Sequence, residues 1–490
     1  MLAQKHCAVL GCVLGCLCLW GCAGTKNAAV SAATLTDTKA HEAVSEQTQI
    51  VESDNVVAPT LTAHETLPAV DVSTKEAIHQ TNAAVENAWQ MSSADQNALL
   101  RDALEQAFEK NNAEVARQLF DKLNAKNFSE SEWRELQVRM LIAEARYDEA
   151  RQSVRKAADN GDTDAIALYW RALDADPLYG ATFVRTIKPD GNNSLSALGG
   201  GSTVSLKYKE GVNTLAAIKP DQDLRQTMYR SEIAYFRLCE ILGCSFDVPK
   251  NVPVRFRREH FNALYAASTS TKNAGYRSKF DHLIWVIEDD TKVLYATFKE
   301  WISPFTGFPI ENTDTWKQVV QPDGVKDVEL ESLIKRVLVA GRPSDYNNFS
   351  KIKNWTNDLS MTDFARQLSD LMLVDFLTNN WDRFSGAADN YGANCHIHPG
   401  GLIAIDNGAA FPAWHAPRVV KRLEFVRVFN RDLVRRLRAL TPEMIDHRLF
   451  PNPTKEEKKS LQRFWERRDQ ALKHIDEQIK KYGEDAVLAF

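Results

Sequence analysis

Apolar residues recur every three or four positions in two parts of the chain, residues 86–175 and the part after residue 411. This spacing places them on one face of a helix, so both parts are predicted to be helical. Between these parts, short segments alternate apolar and polar residues, as half-buried strands do. The segments are residues 181–187, 204–209, 214–219, 252–256, 283–287 and 293–298. The pattern predicts an α+β fold in which an all-α segment precedes a domain that begins with a sheet.

The all-α segment contains a weak internal repetition. Ala116-Arg117-Gln118 recurs 34 residues later as Ala150-Arg151-Gln152. A helix-turn-helix period of about 34 residues is typical of tetratricopeptide repeats. Because barely two units are present, a plain helical bundle that braces the next domain is an equally good interpretation.

The composition is that of a soluble globular protein, with 26% charged and 44% hydrophobic residues. At 490 residues the chain exceeds what one hydrophobic core usually holds, so more than one structural unit is expected. The formal net charge of -5 offers no electrostatic reason to expect a nucleic-acid partner. Residues 23–83 are rich in Thr, Ala, Val, Ser and Glu without any sustained period, so they are predicted to form a disordered tether.

Five of the eight cysteines lie in the first 22 residues, within a short apolar run. The run is too short to span a bilayer and is typical of a signal peptide. It ends Leu19-Trp20-Gly21-Cys22, which resembles the lipobox of bacterial lipoproteins, in which the cysteine becomes the lipidated first residue. A lipidated Cys22 would anchor the protein to the cell envelope on a periplasmic or extracellular face, and Ala23 favours the outer membrane because it is not a retention aspartate. The alternatives are an ordinary cleaved signal and an uncleaved anchor.

Three cysteines remain after the signal segment: Cys239, Cys244 and Cys395. The first two are close enough in sequence to pair across a helix end in an oxidising compartment. Three buried reduced thiols are an equally good interpretation, and the three have no metal-ligand spacing.

A glycine-rich turn and two charged residues suggest an anion-binding site in the sheet region. Residues 198–203 read Leu-Gly-Gly-Gly-Ser-Thr, and a run of glycines lets the backbone approach a bulky anion. The strand 215–219 ends in Lys219, and Glu232 opens a helix that Gly243 is predicted to end. In protein kinases a strand lysine pairs with a helix glutamate and contacts the nucleotide phosphates. The predicted nucleotide-binding residues are Gly199, Gly200, Gly201, Ser202, Lys219 and Glu232.

Two aspartates bound the stretch in which we expect the chemistry. Asp382 follows an apolar helical run and opens a loop, and Asp406 follows the short apolar segment 402–405 and precedes Asn407-Gly408. Phosphoryl transfer needs one carboxylate to orient the attacking hydroxyl and another to hold the metal that bridges the phosphates. The layout therefore predicts a catalytic loop, a hairpin and a metal-binding aspartate.

Three runs carry a resemblance to a known family. They are R-S-E-I-A-Y-F-R-L-C-E-I-L-G-C-S-F-D-V-P, D-F-L-T-N-N-W-D-R and A-I-D-N-G-A-A-F. In this order they resemble the atypical kinases of the secretory pathway, the Golgi casein kinase and four-jointed group, which are similar to HipA-type and phosphatidylinositol kinases. The resemblance implies a two-lobed kinase-like domain, with an N-lobe at 179–302 and a C-lobe at 303–490, after a signal peptide (1–22), the tether (23–83) and a helical spacer (84–178).

The resemblance also implies roles for individual residues. Asp382 would accept or orient the substrate hydroxyl, and Arg383 would stabilise its loop or a nearby phosphate. Asp406 would bind the metal, with Gly408 allowing a strained turn, and Asn390 would be the second metal ligand. Two neighbours are alternatives for that second ligand: Asp389 and Asn394.

These residues imply an ATP-dependent phosphotransferase of the cell envelope that uses Mg²⁺ or Mn²⁺ and phosphorylates a hydroxyl of a protein substrate. One alternative is a catalytically inactive pseudokinase or scaffold whose helical spacer recruits protein partners. Another is a lipid or small-molecule kinase of the same fold. Residues 298–302 are expected to form the hinge that faces the adenine, and residues 312–360 are interpreted as a polar insertion.

Overall fold

The computed structural model describes residues 93–176, 184–199, 203–224, 227–268, 270, 276–341, 346–384, 394–414 and 416–490. The predicted signal peptide and tether lie outside the described residues, as do four candidate site residues and one alternative: Gly200, Gly201, Ser202, Asn390 and Asp389. Within the described part, helices come first and a mixed sheet follows. The α+β class predicted from the pattern is therefore confirmed.

Five α-helices lie in the described part of the all-α segment. They are α1 (Ser93–Glu109), α2 (Ala113–Phe120), α3 (Glu130–Ala143), α4 (Tyr147–Asp159) and α5 (Thr163–Ala175). Ser129 and Glu132 form a capping box that begins α3, and the Asp162 side chain accepts backbone N–H groups at the start of α5. The repeated alanines, Ala116 and Ala150, are both fully buried. The repeat itself stays a prediction.

A seven-stranded sheet follows. Its strands are β1 (Arg185–Thr186), β2 (Asn193–Ala197), β3 (Leu206–Glu210), β4 (Asn213–Pro220), β5 (Asn251–Arg257), β6 (Trp285–Glu288) and β7 (Thr291–Glu300). Six strands lie in the order β1-β5-β7-β4-β3-β2, and β6 pairs with the outer part of β7. All pairs are antiparallel except β1 with β5. Strand β7 therefore lies beside β4, although residues 221–290 separate them in sequence.

Helix α6 (Tyr229–Leu242) connects β4 to β5 and is buried along almost its whole length. It ends at Gly243, which has φ 64° and donates its N–H to Glu240 O. A disulfide joins Cys239 and Cys244 across this end, with Cα atoms 5.1 Å apart, while Cys395 is a buried free thiol. The disulfide therefore closes the turn that directs the chain from α6 back to the sheet.

The second part of the domain is helical around a small three-stranded sheet. Its helices after α7 (Arg258–Ala266) are α8 (Leu330–Val339), α9 (Phe349–Trp355), α10 (Met361–Thr378), α11 (Pro417–Leu423), α12 (Arg431–Ala439), α13 (Pro442–Leu449), α14 (Lys455–Tyr482) and α15 (Glu484–Val487). Strands β9 (Cys395–His398) and β10 (Gly401–Ala404) form a hairpin, and β8 (Thr306–Gly307) pairs with β9.

The interpretation of residues 312–360 as a polar insertion is wrong. Helix α8 buries one face, and its buried residues, Leu333, Ile334, Val337 and Leu338, belong to the largest core cluster of the chain. Trp316 is also fully buried there and donates its indole N–H to Ile310 O at 2.8 Å. Burial of these side chains makes the segment part of the core rather than an appendage.

Two core clusters meet at α6. The sheet strands and α7 share one cluster, whereas α6, α10, the β9–β10 hairpin and the C-terminal helices share a larger one. The hairpin is also tied to the sheet side of the chain, because Asp247 N–H donates to Leu402 O and Ala404 N–H donates to Asp247 O, both at 2.9 Å. The segment that follows α6 thus extends the hairpin by a short parallel bridge.

Ion pairs hold the all-α segment against the rest of the domain. Arg436 on α12 pairs with Asp159 at 2.8 Å, and Arg448 on α13 pairs with Asp174. Arg436 also donates to Leu242 O, the last carbonyl of α6, at 2.7 Å. No helix in the described part of the chain is long and apolar enough to cross a membrane.

Candidate functional site

Three of the charged residues singled out in the sequence lie together where the two core clusters meet. The Lys219 ammonium is 2.9 Å from Glu232 Oε1 and 3.2 Å from Asp406 Oδ1. The side chains of Lys219 and Glu232 are 5% and 0% exposed, whereas that of Asp406 is 42% exposed. Asp406 is therefore the side of this cluster that solvent and ligands can reach.

Three elements bring these residues to one place. Lys219 is the second-last residue of β4, and Glu232 lies in the first turn of α6. Asp406 lies two residues beyond β10. The Met228 N–H, just before α6, donates to Gly408 O at 3.3 Å, so the start of this helix is joined to the turn that follows Asp406.

A fourth charged residue, Lys299, belongs to the same cluster and was missed in the sequence. Its ammonium is 3.4 Å from Glu232 Oε2 and 3.3 Å from Asp406 Oδ1, and its side chain is buried. In the pairing of β4 with β7, Lys219 is opposite Thr297 and Ala217 is opposite Lys299. The two lysines are therefore diagonal neighbours on one face of the sheet.

The electrostatics of the cluster follow from this pairing. Burial by itself lowers the pKa of Lys219, but the carboxylates of Asp406 and Glu232 outweigh it and hold that pKa above its usual value. Burial likewise opposes ionisation of Asp406 and Glu232, yet the two ammonium groups hold the pKa of each carboxyl below its usual range. Lys219, Glu232 and Asp406 are therefore charged at neutral pH.

The backbone at Asp406 is in the left-handed region, with φ 56°. This conformation is uncommon for a residue other than glycine, and such residues often occur at functional sites. The left-handed turn falls on Asp406 itself rather than on Gly408. It is the conformation that sets the carboxylate beside the two ammonium groups.

Asp382 lies on a separate loop next to the hairpin. Helix α10 ends at Asn379, which has φ 51°, and the chain continues into a short 3₁₀ helix, Trp381–Phe384. Asn394 donates its side-chain N–H to Asp382 Oδ2 at 2.9 Å and to Asp382 O at 3.2 Å. This amide fixes the direction of the Asp382 carboxylate, which remains partly exposed.

Arg383 is fully buried and joins the Asp382 loop to the Asp406 turn. It donates to Asp375 Oδ2 at 3.0 Å and to Ile405 O at 2.8 Å, and it also bonds Asn407 Oδ1. Ile405 and Asn407 are the two neighbours of Asp406, so Arg383 holds the turn on both sides of that residue.

Asn394 is the one described residue among the three proposed as second metal ligand. Because Cys395 pairs with Ala404, Asn394 lies at the same end of the hairpin as Asp406. No group of three or more His, Cys, Asp or Glu side chains in the described part of the chain could hold a metal ion.

Gly199 is the described glycine of the glycine-rich turn between β2 and β3. It has φ 81°, a conformation that favours glycine. The preceding Leu198 N–H donates to Ser205 O at 3.0 Å, so the two strands remain paired up to the turn. The turn therefore lies at the end of a regular hairpin.

Comparison with models of known protein families found none that matches this chain. No curated protein matches it either.

Proposed function

We propose that this protein is an ATP-dependent phosphotransferase of the atypical kinase type, which transfers the γ-phosphoryl group to a hydroxyl of a protein substrate. The observation that carries the proposal is the buried Lys219–Glu232 pair held at 2.9 Å, with the partly exposed Asp406 carboxylate 3.2 Å from the same ammonium. A lysine fixed by a helix glutamate beside a metal-binding aspartate is the arrangement that kinases use to hold nucleotide phosphates.

The order of the elements supports the same function. The lysine strand, the glutamate helix, the Asp382 loop, the hairpin and Asp406 follow one another along the chain as the corresponding parts do in protein kinases. The sheet strands and α7 share one core cluster, and α6 shares the other with α10 and the C-terminal helices. On this interpretation the sheet and α6 form the N-lobe, the helices around α10 form the C-lobe, α6 packs against both, and residues 298–302 connect them.

The residues present fit a nucleotide held with Mg²⁺ or Mn²⁺. The side chains at the open end of the hairpin offer oxygen atoms, the partly exposed Asp406 carboxylate and the buried Asn394 amide, and these hard ions prefer oxygen ligands. Mg²⁺ is usually held by one or two carboxylates together with substrate phosphates and water, so a small set of protein ligands suffices. The metal would neutralise charge that develops on the phosphates. Asp406 and Asn394 are the described residues that would hold it.

The remaining residues have roles that their contacts support. Asp382, oriented by Asn394, would accept the hydroxyl proton as the acceptor oxygen forms its bond to the γ-phosphorus and the bond to the ADP oxygen breaks. Lys219 would bind phosphate oxygens, with Glu232 keeping its ammonium in place. Arg383 would act indirectly, because it holds the Asp382 loop and the Asp406 turn in one frame.

The proposed site of action is the cell envelope, with Cys22 as the lipid anchor. The disulfide between Cys239 and Cys244 supports this location, because disulfides persist in oxidising compartments and are rare in the bacterial cytoplasm. Substitution of Cys22 by Ser should abolish incorporation of labelled palmitate. Continued labelling of the Cys22→Ser protein would contradict lipidation at this residue.

The test of the function combines thermal unfolding with phosphate transfer. The full-length protein is incubated with ATP and Mg²⁺ or Mn²⁺, and wild type is compared with Asp406→Asn. A matched control is Asp476→Asn, which removes an exposed carboxylate on α14. At a ligand concentration of about 100 times Kd, binding should stabilise the wild type and the control by about 2.7 kcal/mol, and Asp406→Asn should lose the metal-dependent part.

The products separate the alternatives. Radiolabelled phosphate on a protein, absent with Asp406→Asn, supports the proposal. Stabilisation by nucleotide without any transfer would identify a pseudokinase, and a phosphorylated lipid or small molecule would identify another acceptor class. ATP is tested once with Mg²⁺ and once with Mn²⁺. If both combinations fail to stabilise the wild-type protein and to produce any phosphorylation, the proposal is wrong.

A further inference from the structure

Lys299 places a second buried ammonium group beside Glu232, whose charge Lys219 alone could neutralise. Glu232 is already paired through Oε1 with Lys219, and Lys299 contacts its other oxygen, Oε2, at 3.4 Å. Taking a second ammonium out of water is costly unless its interactions compensate. Its position therefore calls for a use beyond neutralising Glu232.

Both ammonium groups converge on the same reachable atom. Lys219 is 3.2 Å and Lys299 is 3.3 Å from Asp406 Oδ1, on the exposed side of the cluster. An ammonium carries three N–H donors, and within the described part of the chain each lysine directs two of them to carboxylates. Each lysine thus retains a donor for an anion that arrives beside Asp406.

The charges favour an anionic ligand that brings its own cation. Two ammonium groups and two carboxylates balance one another, so the cluster has no surplus negative charge to attract a free metal ion. A nucleotide triphosphate with a divalent metal supplies both the cation for Asp406 and the phosphate oxygens for the lysines.

We infer that Lys299 is a second phosphate-binding lysine, which acts together with Lys219 on the triphosphate of the nucleotide. This inference rests on the proposed function, since it assigns a further ligand contact to the same site. The sheet register fixes both lysines on one face. Both can therefore contact the same triphosphate at once, so neither replaces the other.

The first experiment measures binding of ATP and of adenosine to the full-length protein by calorimetry with Mg²⁺. Lys299→Met should weaken ATP binding about ten- to hundredfold, the range for loss of a charge-assisted hydrogen bond, and should leave adenosine binding within about twofold. Lys299→Arg, which keeps the charge, should recover part of the loss. The control, Lys292→Met, removes an exposed lysine of the same strand and should change neither affinity.

The outcomes are distinct. Unchanged ATP affinity in Lys299→Met, with weakened binding in Lys219→Met, would overturn the role of Lys299 and leave the proposed function intact. If Lys299→Met weakens ATP binding and adenosine binding equally, Lys299 has a structural role, and the inference is overturned as well. If the wild type binds no nucleotide, the proposed function fails, and the inference fails with it.

A second experiment needs no variant and therefore does not depend on whether Lys299→Met folds. An acyl-phosphate derivative of ATP transfers its acyl group to a nearby lysine amine, forming an amide and releasing ATP. Mass spectrometry of the wild-type protein should find the acyl group on Lys219 and on Lys299, and excess ATP should suppress both. Labelling of Lys219 without Lys299 would contradict the inference.

Discussion

Replacing Arg383 by Met tests whether this residue holds the frame of the site or contacts the nucleotide. Arg383 and Asp375 are both fully buried, and their ion pair has an Nε to Oδ2 distance of 3.0 Å. The Asp375 carboxylate also accepts from the Tyr235 hydroxyl at 2.9 Å, which would be its main remaining donor. The substitution therefore leaves a buried carboxylate with much less compensation.

The expected loss of stability is large. Removing one partner of a buried ion pair typically costs about 3–5 kcal/mol, out of a usual total of about 5–15 kcal/mol. Arg383 also donates to Ile405 O and Asn407 Oδ1, so the Asp406 turn should loosen even where the protein stays folded. We expect the free energy of unfolding to fall by about 4 kcal/mol and the midpoint of thermal unfolding by roughly 5 °C.

Chemical denaturation of wild type, Arg383→Met, Asp375→Asn and the double variant forms the appropriate cycle. The double variant should lose no more than the worse single variant, because either change already breaks the pair. Arg463→Met is the control, since its ion pair with Glu466 is exposed and should contribute less than about 1 kcal/mol. A loss of under about 1 kcal/mol in Arg383→Met, together with abolished nucleotide binding, would refute this reasoning and indicate that Arg383 contacts phosphate.

Two further predictions concern stability away from the charged cluster. Burial raises the pKa of Asp370 to about 6, above the ordinary 3.8, so its stabilising contribution is fully present below about pH 4 and is lost as the pH rises through about 6. In urea unfolding this carboxyl should contribute a fall of up to about 3 kcal/mol over this range, and Asp370→Asn should remove that contribution; an unchanged profile in the variant would contradict it. Gly243→Ala should cost more than about 1 kcal/mol, because φ is 64° and the new Cβ would lie 1.8 Å from Arg436 Nη1. Gly161→Ala is the control, because Gly161 has φ 87° but a new Cβ there would meet nothing within 4 Å. Equal losses of stability in the two variants would show that Arg436 moves aside freely.

The local parts of the site could be predicted because each has a short-range signal. A strand that ends in Lys219 and a helix that opens at Glu232 are visible as changes of apolar period, and the structure brings the two side chains together. Asp406 is marked by an apolar segment followed by Asn-Gly. In contrast, Asn390 and residues 200–202 of the glycine-rich turn lie outside the described residues, so their predicted roles stay predictions.

Elsewhere the prediction failed for two different reasons. Helix α8 does have the apolar spacing of a helix, at Leu333, Ile334, Val337 and Leu338. The polar residues on either side of it outnumber these four, so the segment as a whole has a polar composition. Strand β2 has almost no signal of its own. Its sequence, Asn-Ser-Leu-Ser-Ala, is extended because it pairs along its whole length with β3, and tertiary pairing of this kind overrides local propensity.

Lys299 shows what local patterns leave out of the chemistry. Counted from the sequence, the charged cluster holds one lysine, Lys219, against two carboxylates, Glu232 and Asp406, and this surplus of negative charge would attract a free divalent cation. The register between β4 and β7, which no short motif encodes, adds a second ammonium on the same face and brings the four charges into balance. A balanced cluster attracts a bare cation weakly, since the two ammonium groups repel it at Asp406. Metal is therefore expected to enter the site together with nucleotide phosphates, whose charge both lysines compensate.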